Sequence, residues 1–170
     1  MVTMKQREFD IQSNDNTLFV TEQCNNHCIM CCQPPKNVDD INLLFAENLA
    51  RITSAPNELP VIGITGGEPT LLGEKLLELI RQIRTKLPDT DIHLLTNGRN
   101  FKDIQYTRDL IGAGGDKLFL GIPLHSDYVK DHDFIAGARN AYNETMTGLY
   151  NIAMCGGCIE LRIVMNKLNY

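Results

Sequence analysis

The sequence holds no run of eighteen apolar residues, and its first residues, MVTMKQREFD, are polar and charged with no apolar stretch behind them. The first absence argues against a membrane-spanning helix and the second against a secretory leader. A basic stripe is missing as well: 16 Lys and Arg are scattered among 21 Asp and Glu, for a net charge of -5. Such a surface offers no electrostatic footprint for nucleic acid or for an anionic membrane. Cysteines are too few and too unevenly placed for a disulfide scaffold. Of six, four lie between Cys24 and Cys32 and the others are Cys155 and Cys158. Free thiolates or metal ligands in a reducing compartment are the better reading, so the expected location is cytoplasmic.

What is present suffices for one core. A chain of 170 residues, 43% apolar, reads as a single domain over residues 1–170. Short β-rich runs begin at Thr17 (TLFVTE), Val61 (VIGIT), Asp91 (DIHLLT), Lys117 (KLFLGI) and Ile159 (IELRIVM), with helical patterns between them. The alternation predicts βα units and a parallel sheet. Leu76, Ile80, Ile83 and Leu87 fall on one helical stripe, and Tyr142, Met146, Leu149 and Ala153 on another. Asp39 and Asp40 precede the first helix, where carboxylates satisfy free amides. Thr96-Asn97-Gly98 ends the third strand, Gly112 and Gly114-Gly115 the third helix, and Gly156-Gly157 the last. A sheet ending at Leu161 to Val164 leaves an apolar edge. The expectation is a chain cut before a sixth βα unit, or one whose edge is covered by another chain, self-association included.

CNNHCIMC, directly after the first strand, is the strongest signal. Cysteines at C-x3-C-x2-C can hold three irons of a cubane and leave the fourth without a protein ligand. The amino and carboxylate groups of a methionine can chelate that open iron, which sets a sulfonium beside a one-electron donor. Zinc on Cys24, His27, Cys28 and Cys31 is the alternative. Cys155 and Cys158 belong to the opposite end of a parallel barrel and cannot complete such a site, and their glycines are explained by a tight helix-to-strand turn. Cys32, pointing elsewhere, reads as a bystander thiol. The second motif, GGEPT from Gly66 to Thr70, also follows a strand. Two glycines admit a ligand close to the backbone, and the Glu68 carboxylate can accept from an ammonium. An ordinary glycine turn is the alternative, but both loops leave the carboxyl ends of adjacent strands, where such folds collect their active sites.

Together these residues resemble the radical S-adenosylmethionine (SAM) superfamily, over Thr17 to about Lys167. The resemblance implies an α/β fold, a partial parallel (β/α)6 barrel of which about five strands are present. It implies a [4Fe-4S] cluster on Cys24, Cys28 and Cys31, with SAM bound against it and an electron donor such as a flavodoxin or ferredoxin. By the same resemblance Gly66, Gly67 and Glu68, followed by Pro69 and Thr70, engage the methionine amino group. Ser126 and Arg162 look like ribose and carboxylate contacts, Asn97 like part of the pocket wall. Met30 stands where the family often has an aromatic residue against the adenine, and a thioether can pack on a purine. His125, Asp127 and Tyr128, with His132 and Phe134 in a long following loop, are candidates for the substrate side. Within the superfamily, TEQCNNHCIMCCQPP, IPLHSD, HDFI, NAYNETMTGL and ELRIVMNK look like the maturases of the His-Xaa-Ser system, which implies a peptide or small-protein substrate. The alternatives are a radical SAM enzyme acting on a small molecule or activating a glycyl radical enzyme, and a non-catalytic zinc or iron-sulfur module.

Overall fold

The computed structural model describes residues 8–169. The five β-rich runs form β1 (Thr17–Phe19), β2 (Val61–Thr65), β3 (Asp91–Leu95), β4 (Leu118–Pro123) and β5 (Cys158–Arg162). They pair in the order β1-β2-β3-β4-β5, every pair parallel. Parallel neighbours need crossover helices. These are α1 (Ile41–Thr53), α2 (Glu74–Lys86), α3 (Ile104–Gly114) and α5 (Ala141–Met154), preceded after β4 by the shorter α4 (Val129–Ala136).

Alternation along the strands separates the two faces of the sheet. Leu18, Ile62, Ile64, Ile92, Leu94, Leu118, Leu120 and Ile122 are buried beneath the helices, against Leu76, Ile80, Ile83 and Leu87 of the α2 stripe and its end. At about 1.5–3 kcal/mol for each fully buried aliphatic side chain, this row holds the layers together. The opposite face carries half-buried Gly63, Thr65, His93, Leu95 and Phe119. His93 stacks on Phe119, ring centroids 5.1 Å apart, in the layer where β3 and β4 are in register. Among the described residues Leu161, Ile163 and Val164 at the β5 edge are exposed.

Three local expectations are corrected. The segment after β4 is not a loop throughout, because Val129–Ala136 is helical with His132, Ile135 and Ala136 buried. The buried stripe of α5 is Ala141, Thr145, Gly148 and Ile152, while Met146 is 39% exposed and Ala153 lies outside. Small residues win that face because the neighbour is backbone: a Cβ on Gly148 would lie 2.2 Å from the Gly98 carbonyl. Asp40 precedes α1 without capping it. Its carboxylate turns to the other side, accepting from Thr21 Oγ1 and the Glu22 N–H, each at 2.7 Å.

Candidate functional site

The cysteine loop hangs from the carboxyl end of β1 and is clasped from three sides. Pairing with the β2 loop continues past the strands, with Gly67 N–H donating to Thr21 carbonyl at 2.7 Å and Glu68 N–H to Gln23 carbonyl at 2.8 Å. A Cβ on Gly67 would lie 2.1 Å from the Gln23 carbonyl, and one on Gly66, at φ +155°, 2.5 Å from that of Thr21. The two glycines thus let the loops touch each other. Asp40 grips the start of the loop. On the far side His27 and Ile29 N–H groups donate to the Ala136 and Ile135 carbonyls, both at 3.0 Å.

The loop so held borders a cavity of about 270 Å³, with Cys24, Cys28 and Cys31 on one wall and Gly66, Gly67, Asn97, Gly121 and Arg162 around it. All six cysteines are free, Cys24 and Cys28 half-buried and Cys31 exposed. Burial, helped by the nearby Glu68, Cys28 and Cys31, pushes the Cys24 thiol up to about 11; Cys28 is raised too, by burial and then by Cys31. Thiols of that kind become thiolates when a cation is bound. Among the described residues no three His, Cys, Asp or Glu side chains converge on one ion position, as a tetrahedral zinc at about 2.3 Å from each sulfur requires. A roomier hollow of about 850 Å³ at the amino end of the sheet, between Leu59, Pro60, Leu87 and Pro88, offers no thiol.

Glu68 lies outside the lining of the cysteine cavity. It is fully buried, and its carboxylate is taken by protein donors. Oε1 accepts from Thr70 N–H at 3.0 Å and from the hydroxyls of Thr70 and Thr96 at 2.6 Å each; Oε2 accepts from Asn97 N–H at 2.6 Å. Burial alone raises its pKa, and these donors oppose the shift. Three of these bonds fall on Oε1 and one on Oε2, so one lone-pair site of Oε2 is left. Glu68 straps the β2 loop to the β3 loop, with Pro69 and Thr70 buried in the turn behind it.

The other expected residues divide. Asn97 lines the cavity, its Nδ2 2.6 Å from Asn25 Oδ1 and 4.0 Å from Cys24 Sγ. Arg162 lines it from the end of β5, its guanidinium paired with Glu160 at 3.0 Å. Met30 and Ser126 stand outside the lining; the Ser126 hydroxyl instead accepts from Tyr128 N–H at 3.0 Å. His125 and His132 are buried against each other, with His125 N–H donating to His132 Nδ1 at 3.2 Å. Asp127, Tyr128 and Phe134 are exposed. Residues that sequence reasoning passed over are Gly121, Asn26 and Arg99. Gly121, buried in β4, lacks a Cβ that would sit 3.1 Å from Arg162 Nε; glycine inside a strand is the signal for such an approach. Asn26 and Arg99 meet across the loops at 2.8 Å, with no local pattern to announce them.

Comparison with known proteins agrees with this geometry. The family model described as the radical SAM superfamily matches residues 18–165. The chain belongs to that superfamily. A GTP 3',8-cyclase of Campylobacter jejuni subsp. doylei is 33% identical over 122 residues, 68% of this chain and 36% of that protein. A probable GTP 3',8-cyclase of Methanococcus maripaludis is 34% identical over 103 residues, 59% of this chain and 33% of that protein. The chain spans about a third of the length of these curated relatives. Native anSMEcpe with bound AdoMet superposes with a TM-score of 0.62 at 19% identity, over 85% of this chain and 42% of that one. Streptococcus suis SuiB bound to S-adenosylmethionine gives 0.64 at 15% identity, over 89% and 32%. These structures share the fold, a five-stranded parallel part of the radical SAM barrel.

As a radical SAM protein the chain has a [4Fe-4S] cluster and S-adenosylmethionine as its cofactors. The residues present fit both. Three soft thiols without a fourth protein donor match a cubane with one open iron, and the missing Cβ of Gly121 beside Arg162 leaves room next to it. No described helix is long and apolar enough to cross a membrane.

Proposed function

We propose that Cys24, Cys28 and Cys31 hold the cluster of a radical-generating enzyme. The observation that carries this reading is the convergence of these thiols with Gly66, Gly67, Asn97 and Arg162 around one cavity at the carboxyl ends of the strands. When bound, the cluster supplies an electron to the sulfonium of SAM, releasing methionine and a 5'-deoxyadenosyl radical. The chain's own work is binding and aim. The backbone of Gly66 and Gly67 offers peptide groups to the methionine amino end, Arg162 offers a guanidinium to its carboxylate, and Asn97 fixes the wall between them. Leu95, Pro123 and Val164 add apolar surface to a wall that also carries Gln33, Thr65 and Thr96. Residues 1–170 act as one radical SAM core in the cytoplasm, supplied with electrons by a flavodoxin- or ferredoxin-type donor. Anaerobic reconstitution followed by assay for 5'-deoxyadenosine tests this; iron uptake and SAM cleavage that survive Cys28→Ala would sink it.

For the substrate, the motif resemblance to His-Xaa-Ser maturases supports a peptide or small protein. The second reading, a small molecule, is favoured by 33% identity to a GTP 3',8-cyclase. Deuterium passed to 5'-deoxyadenosine from a labelled His/Ser-repeat peptide, and not from labelled GTP, selects the first; the reverse selects the second.

A further inference from the structure

Between the first two cysteines stand two asparagines that the C-x3-C-x2-C spacing does not require. Asn26 is 4% exposed, although His27 beside it is exposed. Its backbone N–H donates to Cys24 Sγ at 3.4 Å, and its side chain hydrogen-bonds the Cys28 thiol. Its amide oxygen accepts from Arg99 Nη1 at 2.8 Å. Because a guanidinium only donates, the oxygen of Asn26 must face Arg99, and the NH2 end is left for sulfur.

Arg99 is itself anchored. Nη1 also donates to the Asn25 carbonyl at 2.6 Å, and Nε pairs with Glu144 Oε2 at 2.7 Å. Lys102 takes the other oxygen of Glu144 at 2.5 Å, so the trio carries one net positive charge. The Arg99 and Glu144 side chains are only 13% and 16% exposed, where salt screens little. The amide beside the Cys28 sulfur is thus held at its oxygen end by a half-buried cation from a turn more than seventy residues away.

We propose that Asn26, oriented by Arg99, is a positioning residue that sets the reduction potential of the cluster; this rests on the reading of Cys24 and Cys28 as its ligands. Hydrogen bonds to ligand sulfur and nearby positive charge favour the form carrying the extra electron and raise the potential. The pair brings the cluster within reach of a biological donor from the wall of the cavity, which Asn26 lines beside Cys24 and Cys28.

The test uses the reconstituted full chain, with iron and sulfide content measured beside an EPR-monitored redox titration, and urea unfolding of the metal-free form. Asn26→Leu keeps size and charge and removes the side-chain donor. Its cluster is expected complete, with the ratio of reduced to oxidised cluster at a fixed potential at least tenfold lower, about 59 mV for one electron. Arg99→Gln is expected to lower the ratio as far, and Arg99→Lys, which keeps the charge, less. A complete cluster at wild-type potential in Asn26→Leu overturns the proposal. If Asn26→Leu takes up no iron, Arg99→Gln decides, and wild-type potential there overturns it equally. Wild-type chain that takes up no cluster defeats the cysteine reading beneath it, a result visible before any substitution is made.

Discussion

The two groups of cysteines lie at opposite ends of one sheet, and their surroundings differ more than their spacing does. Cys24, Cys28 and Cys31 share a cavity with glycine backbone, an asparagine and an arginine, and the loop that bears them is tied down by Asp40, Ala136 and Arg99. Cys155 caps the end of α5 and borders a hollow of about 410 Å³ with Ile111 and Met154, and Cys158 opens β5 in register with Phe119. Between them Gly156 takes φ +74°, and a Cβ on Gly157 would lie 2.6 Å from Ile111 Cδ1. The turn accounts for the second pair. On the proposed reading the strand end decides which thiols serve, since carboxyl ends gather loops from successive units.

The contrast breaks most visibly through the thiols themselves. Cys28→Ala is expected to abolish cluster absorbance and 5'-deoxyadenosine formation, whereas Cys155→Ala with Cys158→Ala leaves both; iron analysis and product assay check this. Gly137→Ala probes the clasp, for Gly137 sits at φ +60° and an added Cβ would lie 2.2 Å from the His27 carbonyl. A loss of about 3 kcal/mol in urea unfolding is expected, with iron uptake falling in step. Glu68→Gln sharpens the account of the strap. Replacing a buried acceptor of four hydrogen bonds by a group with two donors costs about 2–3 kcal/mol in the metal-free chain; unchanged stability there would overturn the strap.

A pH series separates the histidine pair from the thiols. Burial, followed by the neighbouring His125, pushes His132 down to about 4, so the folded state holds it neutral while the unfolded chain protonates it near 6.5. The contribution is intact above about 6.5 and is lost as pH falls towards 4, on the order of 2–3 kcal/mol. His132→Phe should flatten the urea midpoint over that window. The smallest effect is expected at the other end of the sheet, where exposed Cys158→Ser changes stability by under about 0.5 kcal/mol.

Much of this was legible because it is local. Strands beginning at Val61 and Asp91, the α2 stripe and the cysteine spacing are set by neighbours in sequence, and the structure keeps them. The misses share a different cause. On α5 the apolar period suggested Tyr142 and Met146, but close backbone at Gly98 demands small residues one position away. The partners of Glu68, Thr96 and Asn97, arrive 28 and 29 residues later, beyond the reach of its motif. Arg99 finds Asn26 across 73 residues, a distance over which periodicity is silent.

Strand order that follows chain order has a consequence for the newly made protein. Each unit can lay its strand against the one before it as the polypeptide emerges, so the sheet grows in one direction. The thiol loop comes early, but the pieces that clasp it, the Ile135 and Ala136 carbonyls and then Glu144, follow only after β4. Until Glu144 has emerged the nest near the beginning of the chain stands open, so chain order sets the earliest moment at which the loop can be fastened.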